Sequence, residues 1–154
     1  MTATPARGRT IAIGDVHGCL AAFDALLDAV QPTPDDLLVT LGDYVDRGPD
    51  SRGVIERLLE LRRRCRLVAL LGNHDAQMLA AMRDPNDMHR WLAFGGLATL
   101  YSYNQALRPE GVPAEHLDFL RACLHSYETD SHLFIHANYR EQTPISGQDD
   151  DVLL

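Results

Sequence analysis

Three short apolar runs, each closed by a glycine, set the rhythm of the chain. They are Thr10-Ile11-Ala12-Ile13 before Gly14, Leu37-Leu38-Val39-Thr40-Leu41 before Gly42, and Leu67-Val68-Ala69-Leu70-Leu71 before Gly72. The central run has little polar alternation, which predicts a strand buried on both faces, as in a parallel sheet. Helical spacing fills the gaps between them. Leu20, Phe23, Leu26, Leu27 and Val30 mark one helix, stopped by Gln31-Pro32-Thr33-Pro34. Val54, Ile55, Leu58, Leu59 and Leu61 mark the next, opened by Pro49-Asp50-Ser51. The order β-α-β-α-β predicts an α/β fold with a parallel sheet and crossover helices.

Further along, a helix is expected over Ala76–Arg83, broken by Asp84-Pro85-Asn86, with a short helix through Trp91. Gly95-Gly96 interrupts the pattern before Leu97–Tyr103. Pro113 is placed to open another helix, with Leu117, Leu120 and Leu124 facing inward. Two strands are expected around His125–Thr129 and His132–His136, hinged at Asp130-Ser131. From Ala137 the chain turns polar. Residues 1–9 read as a frayed tail and residues 10–154 as one domain.

The chemistry lies just past the glycines. The three strand ends read Gly14-Asp15-Val16-His17-Gly18, Gly42-Asp43-Tyr44-Val45-Asp46-Arg47-Gly48 and Gly72-Asn73-His74-Asp75. Charged groups at the C-terminal edge of a buried strand are costly unless something there uses them. In open α/β sheets that edge is where ligands bind. Asp15 and His17 flank one residue on a tight turn, so both can reach one metal. Asp43 can bridge two ions through its two oxygens. Asn73 offers a neutral carbonyl oxygen, and His136, at the end of Leu133-Phe134-Ile135, offers an imidazole. This mixed set suits manganese first, then iron or zinc, better than calcium or a thiolate-bound metal. The Arg47 guanidinium matches two phosphate oxygens at once.

With these three motifs in this order, the chain resembles the calcineurin-like metallophosphatases, in their phosphoprotein phosphatase branch. The resemblance runs from Ile11 to about His136. It implies an αββα sandwich of two sheets flanked by helices, the second sheet incomplete. It implies two divalent ions, one held by Asp15, His17 and Asp43, the other by Asp43, Asn73 and His136. It also implies that His74 donates a proton to the leaving oxygen, that Asp46 keeps His74 protonated and oriented, and that Arg47 clamps the phosphate. Asp75 takes a supporting role at a helix start. Trp91 with Gly95-Gly96 resembles a family segment under the site, with Phe94 where asparagine often stands.

The leading expectation is therefore a serine/threonine protein phosphatase acting on a phosphorylated protein. The symmetrical dinucleoside tetraphosphatases, which share the motifs, are the alternative. They tend to lack the second aspartate of the central loop, here Asp46. A degenerate, inactive binding module is a further alternative. Family members extend further and supply another arginine and a last histidine. The chain stops at Leu154 before either, so the expectation is either a fragment or an incomplete enzyme that binds its second ion weakly.

Composition narrows the partners. A chain of 154 residues with 45% apolar and 23% charged residues is one globular domain. A net charge of −8 argues against nucleic acid or an anionic membrane as bulk partner. It does not argue against a phosphate substrate, because bound metal reverses the local field. Cys19, Cys65 and Cys123 show no zinc-type pairing, which suits a reduced cytoplasmic chain, with Cys19 a small buried residue at a helix start. Arg62-Arg63-Arg64 reads as a solvated helix end. His89, His116, His125 and His132 match no motif and read as surface or satisfied core residues. Tyr101 and Tyr103 fit either the rim of a substrate groove or the core. No apolar run approaches membrane-spanning length.

Overall fold

The computed structural model describes residues 8–103 and 111–154. Strands β1 (Thr10–Ile13), β2 (Leu37–Thr40) and β3 (Arg66–Ala69) form a parallel sheet in that order. Thr10, Leu37 and Arg66 are in register at one end, and Ile13, Thr40 and Ala69 at the other. Helices α1 (Leu20–Val30) and α2 (Ser51–Arg64) are the crossovers. All four residues of β2 are buried, as a central strand with covered faces requires.

Local chemistry explains where these elements stop and start. Gln31 ends α1 in the left-handed region with φ 47°, its N–H returning to the Leu27 carbonyl, and Pro32 follows. Asp50 caps α2 by accepting from the Gly53 N–H at 2.8 Å, and three arginines occupy its last turn. Cys19 precedes α1 with non-helical backbone, so its side chain leaves the Phe23–Leu27 stripe. It is exposed, not buried as expected.

Helix α3 (Asn73–Ala81) starts three residues earlier than the apolar spacing suggested. The cause is Asp75, whose carboxylate accepts from the Gly72 N–H at 3.0 Å and so caps the first turn. Helix α4 (Pro85–Trp91) is capped by Asp84 with proline at its first position. Residues Leu92–Gly96 kink at Gly95, whose φ of 119° is non-helical, and lead into α5 (Leu97–Ser102). Helix α6 covers Ala114–Arg121. It ends before Leu124, which is 46% exposed, so the expected inward position of Leu124 is wrong. Its backbone instead joins the outer edge of β3: the Leu124 N–H donates to the Ala69 carbonyl and its carbonyl accepts from the Leu71 N–H.

That junction leads into a second, two-stranded antiparallel sheet, β4 (Ser126–Glu128) and β5 (Leu133–Ile135). Its turn is closed by the Thr129 N–H on the His132 carbonyl at 2.8 Å. A 3₁₀ turn, Ile145–Gly147, and helix α7 (Asp150–Leu153) follow, and α7 returns beside the end of β5 through the Ala137 and Asn138 N–H groups. One core joins Leu38, Val54, Ile55 and Leu58 to Met78, Trp91, Leu100 and Leu120. Burying each such side chain stabilises the fold by about 1.5–3 kcal/mol.

Arg9 is not part of a frayed tail. Its main-chain N–H donates to Asp36 at 2.7 Å, its guanidinium pairs with the same carboxylate, and its carbonyl accepts from Leu37. Residues 1–7 of the expected tail lie outside the described residues. Among the described residues, no helix is long and apolar enough to cross a membrane.

Candidate active site

Because β1, β2 and β3 end level, the loops after them share one edge and are bonded to one another. The Val16 and His17 N–H groups both donate to the Asp43 carbonyl, and the Gly18 N–H donates to the Tyr44 carbonyl. Four non-glycine residues of these loops sit in the left-handed region: His17 at φ 43°, Asp43 at 52°, Asp46 at 73° and Arg47 at 66°. Each such residue costs roughly 1–2 kcal/mol, and strain of this kind concentrates at functional sites. Gly42 and Gly72 let the loops touch. A Cβ at Gly72 would lie 2.1 Å from the Asp43 nitrogen, and one at Gly42, at φ 103°, would lie 2.5 Å from the Gly72 nitrogen.

The edge gathers all eight predicted residues. His17 Nδ1 lies 2.9 Å from the Val45 carbonyl, and His136 Nδ1 lies 2.8 Å from the Leu41 carbonyl. A carbonyl can only accept, so both Nδ1 atoms carry a proton, and in the neutral rings both Nε2 atoms present lone pairs. His17 Nε2 faces Asp43 Oδ2 at 3.4 Å and Asp15 Oδ2 at 3.8 Å. His136 Nε2 faces Asn73 Oδ1 at 3.1 Å and Asp43 Oδ1 at 3.7 Å. These are approaches of acceptor to acceptor, which a cation between them turns from repulsive to favourable. Such donors would suit divalent metal, and Asp43 turns Oδ2 toward His17 and Oδ1 toward His136. His17, Asp43 and His74 also bring donor atoms within 4.8 Å of one another.

Arg47 and His74 stand over this cradle. Arg47 places one terminal nitrogen 2.8 Å from His17 Nε2 and the other 2.7 Å from His74 Nε2. Its guanidinium is exposed and can chelate two oxygens of an incoming phosphate. The His74 main-chain N–H donates to Asp43 Oδ1 at 2.9 Å, which ties the two motifs together.

Beneath them Asp46 is completely buried. It accepts from His74 Nδ1 at 2.8 Å, from Trp91 Nε1 at 3.0 Å and from the Thr99 hydroxyl at 2.8 Å. Its own N–H donates to the Thr99 and Ser51 hydroxyls. Burial raises its carboxyl above the usual range, and the bonds from His74, Thr99 and Trp91 oppose that rise. Sequence reasoning placed Trp91 under the site but missed Thr99 and missed Ser51 as a partner. The available signal was polarity: Thr99 is a lone hydroxyl between Leu97 and Leu100. Asp75 does more than cap its helix. It also accepts from the Tyr44 and Val45 N–H groups, holding the central loop from below. Burial first, and then the Asp43 charge, push its carboxyl up to about 8 against those bonds.

The remaining histidines are structural or exposed. His116 is buried against the Tyr103 hydroxyl at 2.8 Å, His125 pairs with Asp150, and His132 bonds Ser131. Tyr103 is thus a core residue and not a groove lining, whereas Tyr101 is exposed.

Residues 8–150 match the calcineurin-like phosphoesterase family. Over 70 residues the chain is 47% identical to a symmetrical bis(5'-nucleosyl)-tetraphosphatase of Acidovorax sp. (strain JS42) and 50% identical to that of Paracidovorax citrulli (strain AAC00-1). Each match covers 45% of this chain and 24% of the relative, so the chain spans only a fraction of those proteins. A crystal structure of a candidate diadenosine tetraphosphatase superposes with TM-score 0.71 at 30% identity, covering 98% of this chain and 60% of that one. A metallophosphoesterase from Sphaerobacter thermophilus superposes with TM-score 0.58 at 25% identity, covering 84% of this chain and 46% of that one. These names favour the tetraphosphatase alternative over the serine/threonine protein phosphatase. The physical reason is visible at Asp46. It lies under His74 and holds its ring from below, a contact independent of what binds above, so its presence does not choose between substrates.

Proposed function

The chain belongs to the calcineurin-like phosphoesterase family, and from that premise we propose that it hydrolyses a symmetrical dinucleoside tetraphosphate with the help of divalent metal ions. The observation that carries the substrate class is the shared name of relatives 43–50% identical over 70 residues. The observation that carries the metals is the pair of acceptor clusters split across the two oxygens of Asp43.

In this reading Asp15, His17 and Asp43 would hold one ion, and Asp43, Asn73 and His136 would hold the other. When bound, such ions neutralise phosphate charge and acidify water. The chain does the rest. Arg47 fixes two oxygens of the reacting phosphate, which holds the scissile bond in one orientation. His74, with Nδ1 on Asp46, has its Nε2 released when the Arg47 guanidinium turns to the phosphate; protonated there, it gives that proton to the oxygen of the departing nucleotide as water displaces it from phosphorus. Asp46 holds that ring in place, and Trp91 and Thr99 hold Asp46. Asp75 keeps the Asp43–Arg47 loop at its height above the sheet.

The test is product analysis of diadenosine tetraphosphate incubated with the chain and manganese. Symmetrical cleavage gives ADP alone. A mixture of AMP and ATP, or release of phosphate from a phosphoserine peptide with no action on the dinucleotide, would overturn the proposal.

A further inference from the structure

Six large apolar side chains stand well exposed among the described residues, and three of them fall between positions 94 and 101: Phe94 at 54%, Leu97 at 38% and Tyr101 at 62%. Single exposed apolar residues are ordinary, but a cluster marks a contact surface. This one borders the site. Gly95, the neighbour of Phe94, lies against Arg47: the Arg47 N–H donates to the Gly95 carbonyl at 3.3 Å, and a Cβ at Gly95 would sit 3.2 Å from Arg47 Cγ. Gly95 adopts φ 119°, outside helical geometry, so the chain kinks beside Arg47 before α5 begins.

We propose that Phe94 is the stacking platform for the base of the nucleotide whose phosphate Arg47 clamps. The inference rests on the tetraphosphatase reading and names how that substrate is held. A nucleotide carries its base one ribose away from its phosphate. The platform must therefore stand beside the clamp without occupying it, and Phe94 stands one residue from the glycine that touches Arg47. An aromatic face accepts any base, because every base has a π-face and none needs a matched hydrogen bond. Leu97 and Tyr101, four apart on α5, share one exposed face of that helix just past the kink. A polar residue at position 94 would offer the base no face.

The experiment compares binding of AMP and ribose 5-phosphate by calorimetry, in the presence of manganese, so that the difference reports the base alone. AMP is expected to bind on the order of tenfold tighter, with the gap falling to near unity in Phe94→Ala and persisting in Leu124→Ala, an exposed apolar residue at the far edge of β3. Equal affinity for the two ligands in the unaltered chain, or a gap that survives Phe94→Ala, would overturn the inference. So would a loss of phosphoserine-peptide affinity in Phe94→Ala with no base-dependent gap. A gap that depends on Phe94 in a chain that leaves dinucleoside tetraphosphates intact would uphold the platform and defeat the substrate reading. Hydrolysis without a gap would do the reverse.

Discussion

His74 Nδ1 and Asp46 Oδ2 stand 2.8 Å apart, and both side chains are buried. A hydrogen bond so enclosed fixes which nitrogen of His74 faces the site. Asp46→Asn keeps the shape but removes the charge, and it is expected to lower turnover by about a hundredfold while leaving metal content unchanged. Trp91 is the single tryptophan and its Nε1–H points at Asp46. Its indole resonance should therefore shift in the variant without losing dispersion. A lost metal complement, or a collapsed spectrum, would make Asp46 a purely structural residue.

His74→Asn tests the proton donor through the leaving group. Loss of a general acid typically costs 10²–10⁴-fold, roughly, on a basic leaving group. A nucleotide leaves as a far weaker base than an alkoxide. The deficit measured on an alkyl phosphate should therefore exceed that on diadenosine tetraphosphate. Equal deficits on both would remove His74 from proton transfer.

Asp43 turns one oxygen toward His17 and the other toward His136. Asp43→Asn replaces one of those oxygens by an amide nitrogen, a poor ligand. Metal analysis of the purified variant is expected to show weaker binding at both positions, not one. Unchanged stoichiometry and affinity would refute the bridge.

Asp36 gives a pH dependence remote from the site. The Arg9 side chain, and then the Thr33 backbone N–H, hold its carboxyl well below the usual 3.8. The side chain is nearly inaccessible, yet only a thin layer of protein covers it, so burial opposes these bonds weakly. A depressed carboxyl contributes stability that is complete above its unfolded value and lost as pH falls toward the folded one. Asp36→Asn should melt below the unaltered chain at pH 7, and the two curves should converge below pH 3.8. A gap that is constant with pH would place the effect in packing.

The three strand-glycine-ligand edges were legible because each signal is local: an apolar run, a glycine and donors within a few residues. The level strand ends then bring Asp15, Asp43 and Asn73 together without further information. Thr99 was not legible, since its bond to Asp46 spans 53 positions and depends on the kink at Gly95. Leu124 was misread for a related reason. Its spacing continues the α6 stripe, but the helix stops at Arg121 and the backbone is captured by β3. The start of α3 was placed late because capping by Asp75 leaves no mark in an apolar period.

The bond from His136 to the Leu41 carbonyl joins residues 95 positions apart, whereas those linking the Asp43, Arg47 and His74 loops span about thirty. Closing the longer loop is entropically dearer and kinetically later. During synthesis the β1–β2–β3 cradle can assemble while β5 is still inside the ribosome. The site is then built in two stages, a half with Asp15, His17 and Asp43 first, and His136 as the piece that shuts it.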